Sequence, residues 1–179
     1  LAEGKESTTA LARGRFEKDR LTNVEPLFES VSRGRGHYGG NIAFDKNGFL
    51  FLTLGDRQVA PEGNLDAHPA QDLSNHHGTI VRLHDDGRVP ADNPFVKQAG
   101  ALPETWSYGH RNIQGLAVHP QTGEVWANEH GPQGGDELNL IRPGLNYGWP
   151  VIGFGVNYTT GLAIHSGTPR KGMEQPQQS

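Results

Sequence analysis

At 179 residues the chain is long enough to bury the core of one domain, and its 25 glycines and 12 prolines indicate a turn-rich protein rather than a helical bundle. The formal net charge is -4, with acidic and basic residues scattered along the chain, which excludes a basic surface for nucleic acid. No apolar run is long enough to span a membrane, and the lack of cysteine excludes disulfides and thiolate metal sites.

Short strands joined by tight turns are predicted along most of the chain. A polar stretch over residues 57–76, which contains prolines and a glycine, predicts a long loop. No window keeps a helical period over three turns, so we expect an all-β fold. In chain order, strands and hairpins are expected at residues 8–16, 24–31, 41–54, 78–83 and 116–127.

Two of these segments look like copies of one another. Residues 42–48 and 116–123 both consist of a strand that runs into a turn closed by glycine, and a glycine precedes each of them. Repeated hairpins with functional loops on one face are typical of a β-propeller, which places such loops around one axis. A β-sandwich is the alternative architecture, and it does not require the loops before the hairpins to converge.

The first hairpin has a histidine before it and an aspartate after it. His37 precedes Gly39 and Gly40, which leave the backbone open to a flat ligand, and Asp56 follows the second strand. A hairpin returns its ends to the same edge of a sheet, so we expect His37 and Asp56 to be neighbours. An imidazole beside a carboxylate is a candidate general base. The alternative is a surface histidine close to a strand-end aspartate.

Polar side chains also precede the second hairpin, at His110, Arg111, Asn112 and Gln114. The planar guanidinium of Arg111 suits a carboxylate or a quinone oxygen. The alternative for this arginine is an exposed salt bridge. The sequence therefore predicts a second group of candidate ligand contacts at the start of this hairpin.

The loop after the second hairpin, residues 128–137, contains three glycines and a proline. Such a segment exposes backbone carbonyls, which are the hard oxygen ligands that calcium prefers. Asp136 and Glu137 add carboxylates to it. An ordinary turn with solvated acids is the alternative to a calcium site.

Several short motifs, weakly specific one by one, follow one another in an order that is characteristic of a known family. Taken together they resemble the soluble PQQ-dependent sugar dehydrogenases (the glucose/sorbosone dehydrogenase family), and within it the periplasmic aldose sugar dehydrogenases. The motifs lie at residues 37–40 with 54–56, 70–73, 78–83, 89–95, 106–112, 128–132, 135–139 and 146–150.

The resemblance implies a six-bladed β-propeller with PQQ over its central axis, bound together with calcium. Residues 1–179 would form one partial propeller domain of about three blades, truncated at both ends, because a full propeller of this family is roughly twice as long. The implied activity is oxidation of aldose sugars to lactones by base-assisted hydride transfer to PQQ. The implied partners are the sugar and an external electron acceptor, without nucleic acid, and the implied location is the bacterial periplasm, although this chain shows no signal peptide.

The resemblance also implies roles for particular residues. His37 corresponds to the base that takes the anomeric proton, Asp56 to its orienting partner, and Asp136 to an active-site carboxylate near the substrate. Contacts to PQQ are implied for His37, Arg111, Asn112 and Gln114. Calcium ligands are implied at Gly131 and Pro132, through their carbonyls, and at Glu137 and Tyr147 for a second, structural ion.

Two other classes of function remain compatible with the residues. A non-catalytic, calcium-dependent propeller that serves as a binding module would keep Glu137 and Tyr147 but has no use for His37 beside Asp56. A lactonase-type hydrolase on a propeller would use calcium and a carboxylate to activate water. Arg111 with Asn112 favours a cofactor over water activation.

Overall fold

The computed structural model describes residues 2–3, 6–167 and 169–179, and its regular structure is β-strand apart from two short 3-10 turns, Leu65–Ala67 and Pro69–Gln71. Within these residues neither turn, nor any other helix, is long and apolar enough to cross a membrane. The strands are β1 (Ala2–Glu3), β2 (Glu6–Ser7), β3 (Ala10–Glu17), β4 (Arg20–Glu29), β5 (Ile42–Phe44), β6 (Leu50–Leu54), β7 (Thr79–Leu83), β8 (Thr105–Tyr108), β9 (Ile113–Val118), β10 (Val125–Glu129) and β11 (Glu137–Ile141).

The strands form sheets in the order in which they follow one another along the chain. Strands β5 to β8 form a four-stranded antiparallel sheet, and β9 to β11 form the next sheet. Strands β3 and β4 form a long hairpin, and β1 pairs with β2. Consecutive antiparallel sheets of this kind are the blades of a β-propeller, so the predicted architecture is confirmed.

The core consists of two apolar layers, one on each face of the four-stranded sheet. Side chains alternate along β6, so Leu50, Leu52 and Leu54 pack toward the β3–β4 hairpin whereas Phe51 packs toward the β9–β11 sheet. A β-sandwich buries only one face of each sheet, so two buried faces favour stacked blades. The first layer also contains Leu11, Val81 and Leu83, and the second also contains Ile80, Ile113, Val125, Ala127, Ile141 and Tyr147.

The predicted hairpins are confirmed, with shifted bounds. Between β5 and β6 the chain turns at Gly48, whose φ is 83°, and the Asp45 carboxylate accepts hydrogen bonds from the amides of Asn47 and Phe49 at 2.8 and 2.9 Å. The second hairpin is longer than expected, because it runs from the start of β9 to the end of β10. The strands expected at 8–16 and 24–31 are confirmed as the two arms of one hairpin, which a tight polar turn at Lys18 and Asp19 connects.

Packing of β5 against β9 brings the loops at one end of these two sheets together. The amide of Asp56, after β6, donates to the carbonyl of Arg111, before β9, at 2.8 Å. The amide of His130, after β10, donates to the carbonyl of Asn112 at 3.0 Å. The loops that flank the two hairpins therefore converge, as the propeller hypothesis requires.

Candidate active site

His37 and Asp56 are in direct contact, as the hairpin predicts. Nδ1 of His37 lies 2.6 Å from Oδ1 of Asp56, which is buried. The same carboxylate accepts hydrogen bonds from the amide of Gln58 at 3.0 Å and from the indole N–H of Trp149 at 2.8 Å. Because an ionised carboxylate only accepts hydrogen bonds, Nδ1 carries the proton and Nε2 keeps the lone pair of a base.

Close backbone contacts fix the loop that carries His37. His37 and Gly39 have φ values of 48° and 65°, in the left-handed region that costs glycine least. A Cβ at Gly55 would overlap the carbonyl of His37, so only glycine lets the end of β6 come this near. A Cβ at Gly39 would likewise overlap the carbonyl of Thr53, so Gly39 and Gly55 are required by the close approach of the His37 loop to the end of β6.

Arg57 is a buried cation behind the base, and the sequence analysis did not single it out. Its guanidinium donates to the carbonyls of His37 and Tyr38 at 2.9 and 3.0 Å. Burial lowers the pKa of Arg57 to about 10. Its position directly after Asp56 was the available signal, but an arginine at a strand end is usually exposed. In the structure it holds the backbone of the His37 loop in place.

Arg111 lies next to Trp149, the residue whose indole donates to Asp56. Its Nη1 donates to the carbonyls of His130 and Gly131 at 2.9 and 2.8 Å, and its guanidinium carbon lies 5.2 Å from the ring centroid of Trp149. The contact with the indole ring is a cation–π interaction. Arg111 thus places a positive charge against carbonyl oxygens at the edge of the loop after β10.

These side chains line one open cavity of about 650 Å³. Its volume is in the range of small-molecule sites. The cavity brings together the residues before and after both hairpins with a wall from the loop after β11. Its lining includes His37, Asp56, Gln58, Arg111, Asn112, His130, Pro132, Trp149, Asn157, Tyr158, Thr159 and Ile164.

Gln114 and Asp136 lie elsewhere, at a smaller depression of about 300 Å³ that shares His130 with the main cavity. Asp136 is exposed, accepts a hydrogen bond from the amide of Gly131 at 3.1 Å and lies 3.4 Å from Nδ1 of His130. Gln114 reaches the main cavity only through Asn112, to whose Oδ1 its Nε2 donates at 2.8 Å. The structure therefore does not bring these two side chains to the His37–Asp56 pair.

Comparison with known proteins assigns this arrangement to a family. The chain matches the Glucose / Sorbosone dehydrogenase family over residues 1–179. It belongs to that family. The resemblance inferred from the order of the motifs is thereby confirmed.

Members of the glucose/sorbosone dehydrogenase family with curated sequences are similar over most of this chain. It is 42% identical over 174 residues to the aldose sugar dehydrogenase YliI of Escherichia coli, covering 94% of this chain and 45% of the relative. It is 32% identical over 158 residues to quinoprotein glucose dehydrogenase B of Acinetobacter calcoaceticus, covering 80% and 32%. The chain thus spans about half the length or less of the curated relatives that it matches.

Solved structures of the family have the same fold. The apo-form of the soluble aldose sugar dehydrogenase from Escherichia coli superposes with a TM-score of 0.89 at 40% identity, over 98% of this chain and 50% of that one. The PQQ-bound aldose sugar dehydrogenase from Streptomyces coelicolor superposes with a TM-score of 0.70 at 31% identity, over 88% and 44%.

In this family member the four residues implied as calcium ligands line one small cavity of about 10 Å³, large enough for roughly one water. Gly131 and Pro132 come from the loop after β10, Glu137 begins β11, and Tyr147 follows it. Among the described residues no three acidic or histidine side chains converge on a point. Backbone carbonyls would therefore have to complete a calcium site here.

Two carboxylates lie close together beside this small cavity. The Asn139 amide donates to Oε1 of Glu129 at 3.1 Å and to Oε2 of Glu137 at 3.2 Å. Burial, together with the charge of Glu129, raises the pKa of Glu137 to about 8. The Tyr147 hydroxyl donates to the carbonyl of Leu140 at 2.6 Å, so the backbone already engages it. A cation would relieve the repulsion between the two carboxylates.

Proposed function

We propose that the protein containing this chain oxidises aldose sugars at the anomeric carbon to lactones, with PQQ as hydride acceptor and calcium as its metal. The observation that carries the proposal is the His37–Asp56 pair. Nδ1 of His37 lies 2.6 Å from Oδ1 of Asp56, on the wall of a cavity that Arg111 also lines. The family and the names of its relatives, an aldose sugar dehydrogenase and a quinoprotein glucose dehydrogenase, support sugar as the substrate class.

In this mechanism Nε2 of His37 takes the proton from the anomeric hydroxyl. PQQ, when bound, supplies the quinone that accepts the hydride. Asp56 keeps the imidazole in the tautomer with a free Nε2 and stabilises the imidazolium that forms. Arg111 stabilises negative charge that develops at the cavity wall. The protein thus provides the base, the cation and the shape, and the cofactor provides the redox chemistry.

The residues present fit an anionic, planar cofactor. The cavity is open, its volume suits a ligand of this size, and Arg111 offers a planar set of donors for carboxylate or quinone oxygens. Asn112 lies next to Arg111 in the same wall. The PQQ-bound relative from Streptomyces coelicolor supports the same cofactor for this chain.

The residues also fit calcium. The Arg111 guanidinium already rests on the carbonyl oxygens of His130 and Gly131, which indicates that this loop offers oxygens to a cation. The buried Glu129 and the half-buried Glu137 provide two carboxylates close by. We propose Gly131 and Pro132 as ligands of the ion that the cofactor would share, and Glu137 with Tyr147 as ligands of a structural ion; the one small cavity that all four line has room for only one of these ions, so the other would lie outside it. Gln114 and Asp136 remain proposed contacts of cofactor and substrate, at the neighbouring depression.

An external electron acceptor would reoxidise the cofactor, and the bacterial periplasm is the proposed location. Both follow from the family resemblance. The acceptor would have to approach the open side of the cavity, since that is where the cofactor would meet solvent.

An optical experiment tests the proposal. The full-length protein is reconstituted with PQQ and calcium, an aldose is added, and the absorbance of the reduced quinone is followed. We expect reduction in the wild type and in His119→Ala, which alters an exposed histidine, but not in His37→Ala. Hydrolysis of a lactone without quinone reduction would identify the hydrolase alternative, and calcium binding without either reaction would identify the binding module.

A further inference from the structure

We propose that Trp149 is a positioning residue that holds the His37–Asp56 pair and Arg111 in one arrangement. Its indole N–H would fix the carboxylate that orients the base, and its ring face would support the guanidinium. The inference rests on the proposed function, because it assigns a role within that site. It goes further by naming the residue through which the base and the cation are joined.

Trp149 completes the hydrogen bonding of Asp56. Oδ1 of Asp56 serves His37, while Oδ2 accepts the indole N–H at 2.8 Å. Asp56 is 1% exposed, so Oδ2 has little water to replace this donor. A buried acceptor that loses its hydrogen-bond donor destabilises the folded state by its desolvation free energy, unless the side chain rotates to another donor. Rotation of the carboxylate would displace Oδ1 from Nδ1 of His37.

The ring of the same indole makes a cation–π contact with Arg111. The guanidinium carbon of Arg111 lies 5.2 Å from the ring centroid, and its Nη1 continues to the carbonyls of the loop after β10. Trp149 therefore contacts both Asp56, which orients the base, and Arg111, the cation of the cavity wall. Its own exposure is 6%, although it lines the cavity.

Several elements hold Trp149 itself. Its amide donates to the carbonyl of Gly109 at 2.8 Å, and its carbonyl accepts from Nε2 of Gln71 at 2.7 Å. Gln71 and Asn146 form a reciprocal pair of amide hydrogen bonds, at 2.7 and 3.2 Å, that closes this loop. The indole is consequently a donor in a fixed place, as a positioning residue requires.

Simple core packing is the competing explanation, and removal of the N–H alone separates the two. In the full-length protein we compare Trp149→Phe with site-specific benzothienylalanine at position 149, which keeps the bicyclic shape but lacks the donor. Both are expected to lower kcat by about 10-fold to 100-fold, with little change in KM for the sugar or in PQQ affinity. Trp149→Leu, which also removes the ring, should weaken PQQ binding as well. Trp126→Phe, in β10 and away from the cavity, is the matched control.

A readout without catalysis comes from ¹⁵N NMR of the histidine rings, assigned with His37→Gln. We expect the His37 ring signals to move toward mixed tautomers in the benzothienylalanine protein and to stay unchanged in Trp126→Phe. Wild-type kcat with an unchanged His37 spectrum would overturn the proposal, and so would a lower kcat with an unchanged spectrum and reduced thermal stability. Full turnover in His37→Ala would instead refute the proposed function, because the base itself would be dispensable.

Discussion

The side chains that fix His37, directly or through Asp56, come from two distant parts of the chain. Asp56 follows β6 and binds Nδ1, while the adjacent Arg57 holds the His37 carbonyl. Trp149, from beyond β11, binds the other carboxylate oxygen. An imidazole held at its backbone and at Nδ1 has only Nε2 left for a substrate, which is the geometry of a general base.

Replacement of His37 by alanine in the full-length protein should lower kcat on the order of 10²- to 10⁴-fold while leaving PQQ affinity nearly intact. The reason is that the base meets the hydroxyl of the sugar. Stopped-flow reduction of the bound quinone measures the rate, and a PQQ titration measures the affinity. Turnover at the wild-type rate would remove His37 from the mechanism.

Arg111→Ala should weaken PQQ binding and slow quinone reduction together, because the guanidinium would pair with the cofactor in both redox states. Arg111→Lys should restore only part of the loss, since a point charge does not replace a planar fork. A PQQ titration followed by single-turnover kinetics separates the two effects.

Calcium titrated without PQQ provides the control for this arginine. Arg111→Ala frees the carbonyls of His130 and Gly131 from a competing donor, so calcium should bind at least as tightly as in the wild type. Unchanged PQQ affinity in the same variant would place Arg111 outside the cofactor site.

Among the strands and loops, the sequence predicts those hairpins and contacts that arise from a local pattern of turn and apolar residues. The Asn47–Gly48 turn with flanking apolar residues predicts the β5–β6 hairpin, and the hairpin in turn predicts the contact of His37 with Asp56. Strands β8 and β11 have only four and five residues, and their buried positions include the polar Thr105, Ser107 and Asn139, so hydrophobicity does not mark their buried faces. Trp149 lies 93 residues from Asp56 along the chain, so no local pattern could reveal their hydrogen bond.

The start of β11 should give the calcium-free protein a characteristic pH dependence. The pKa of Glu137 rises from 4.5 to about 8 in the folded state, chiefly through burial. A folded state that binds the proton more tightly loses stability as pH rises from the ordinary pKa through the raised one. We therefore expect Tm, measured in chelator, to fall between about pH 4.5 and 8 through this group.

Glu137→Gln should flatten that part of the profile, whereas Glu124→Gln, at an exposed position, should not. Calcium should raise Tm most at the alkaline end, where Glu137 is ionised. Identical profiles for wild type and Glu137→Gln would show that this carboxylate does not control the transition.

On the scale of the whole molecule, the sheets leave apolar surface that a larger ring would cover. Ile42 and Phe44 on β5, and Phe16 and Leu21 on the β3–β4 hairpin, are all exposed. Exposed apolar edges of sheets favour association with other chains. Relatives of about twice this length have further chain with which to cover such surfaces.

Residues 1–179 produced alone should bind PQQ far more weakly than the full-length protein, show little or no sugar oxidation, and self-associate. The cavity would be open to water on one side, because residues 1–179 span only about half the length of their relatives. Size-exclusion chromatography combined with a PQQ titration tests this expectation. A monodisperse monomer with tight PQQ binding and sugar-dependent turnover would contradict it.

Because Asp56 and Trp149 are far apart in the sequence, the ribosome synthesises them at different times. His37 and Asp56 are synthesised 19 residues apart, but the indole that donates to the Asp56 carboxylate is synthesised 93 residues after Asp56. At roughly 5–20 residues per second this interval lasts on the order of 5–20 s. During that time the nascent hairpin carries its histidine and aspartate without their third partner, so the orientation of the base cannot mature before the segment after β11 is synthesised.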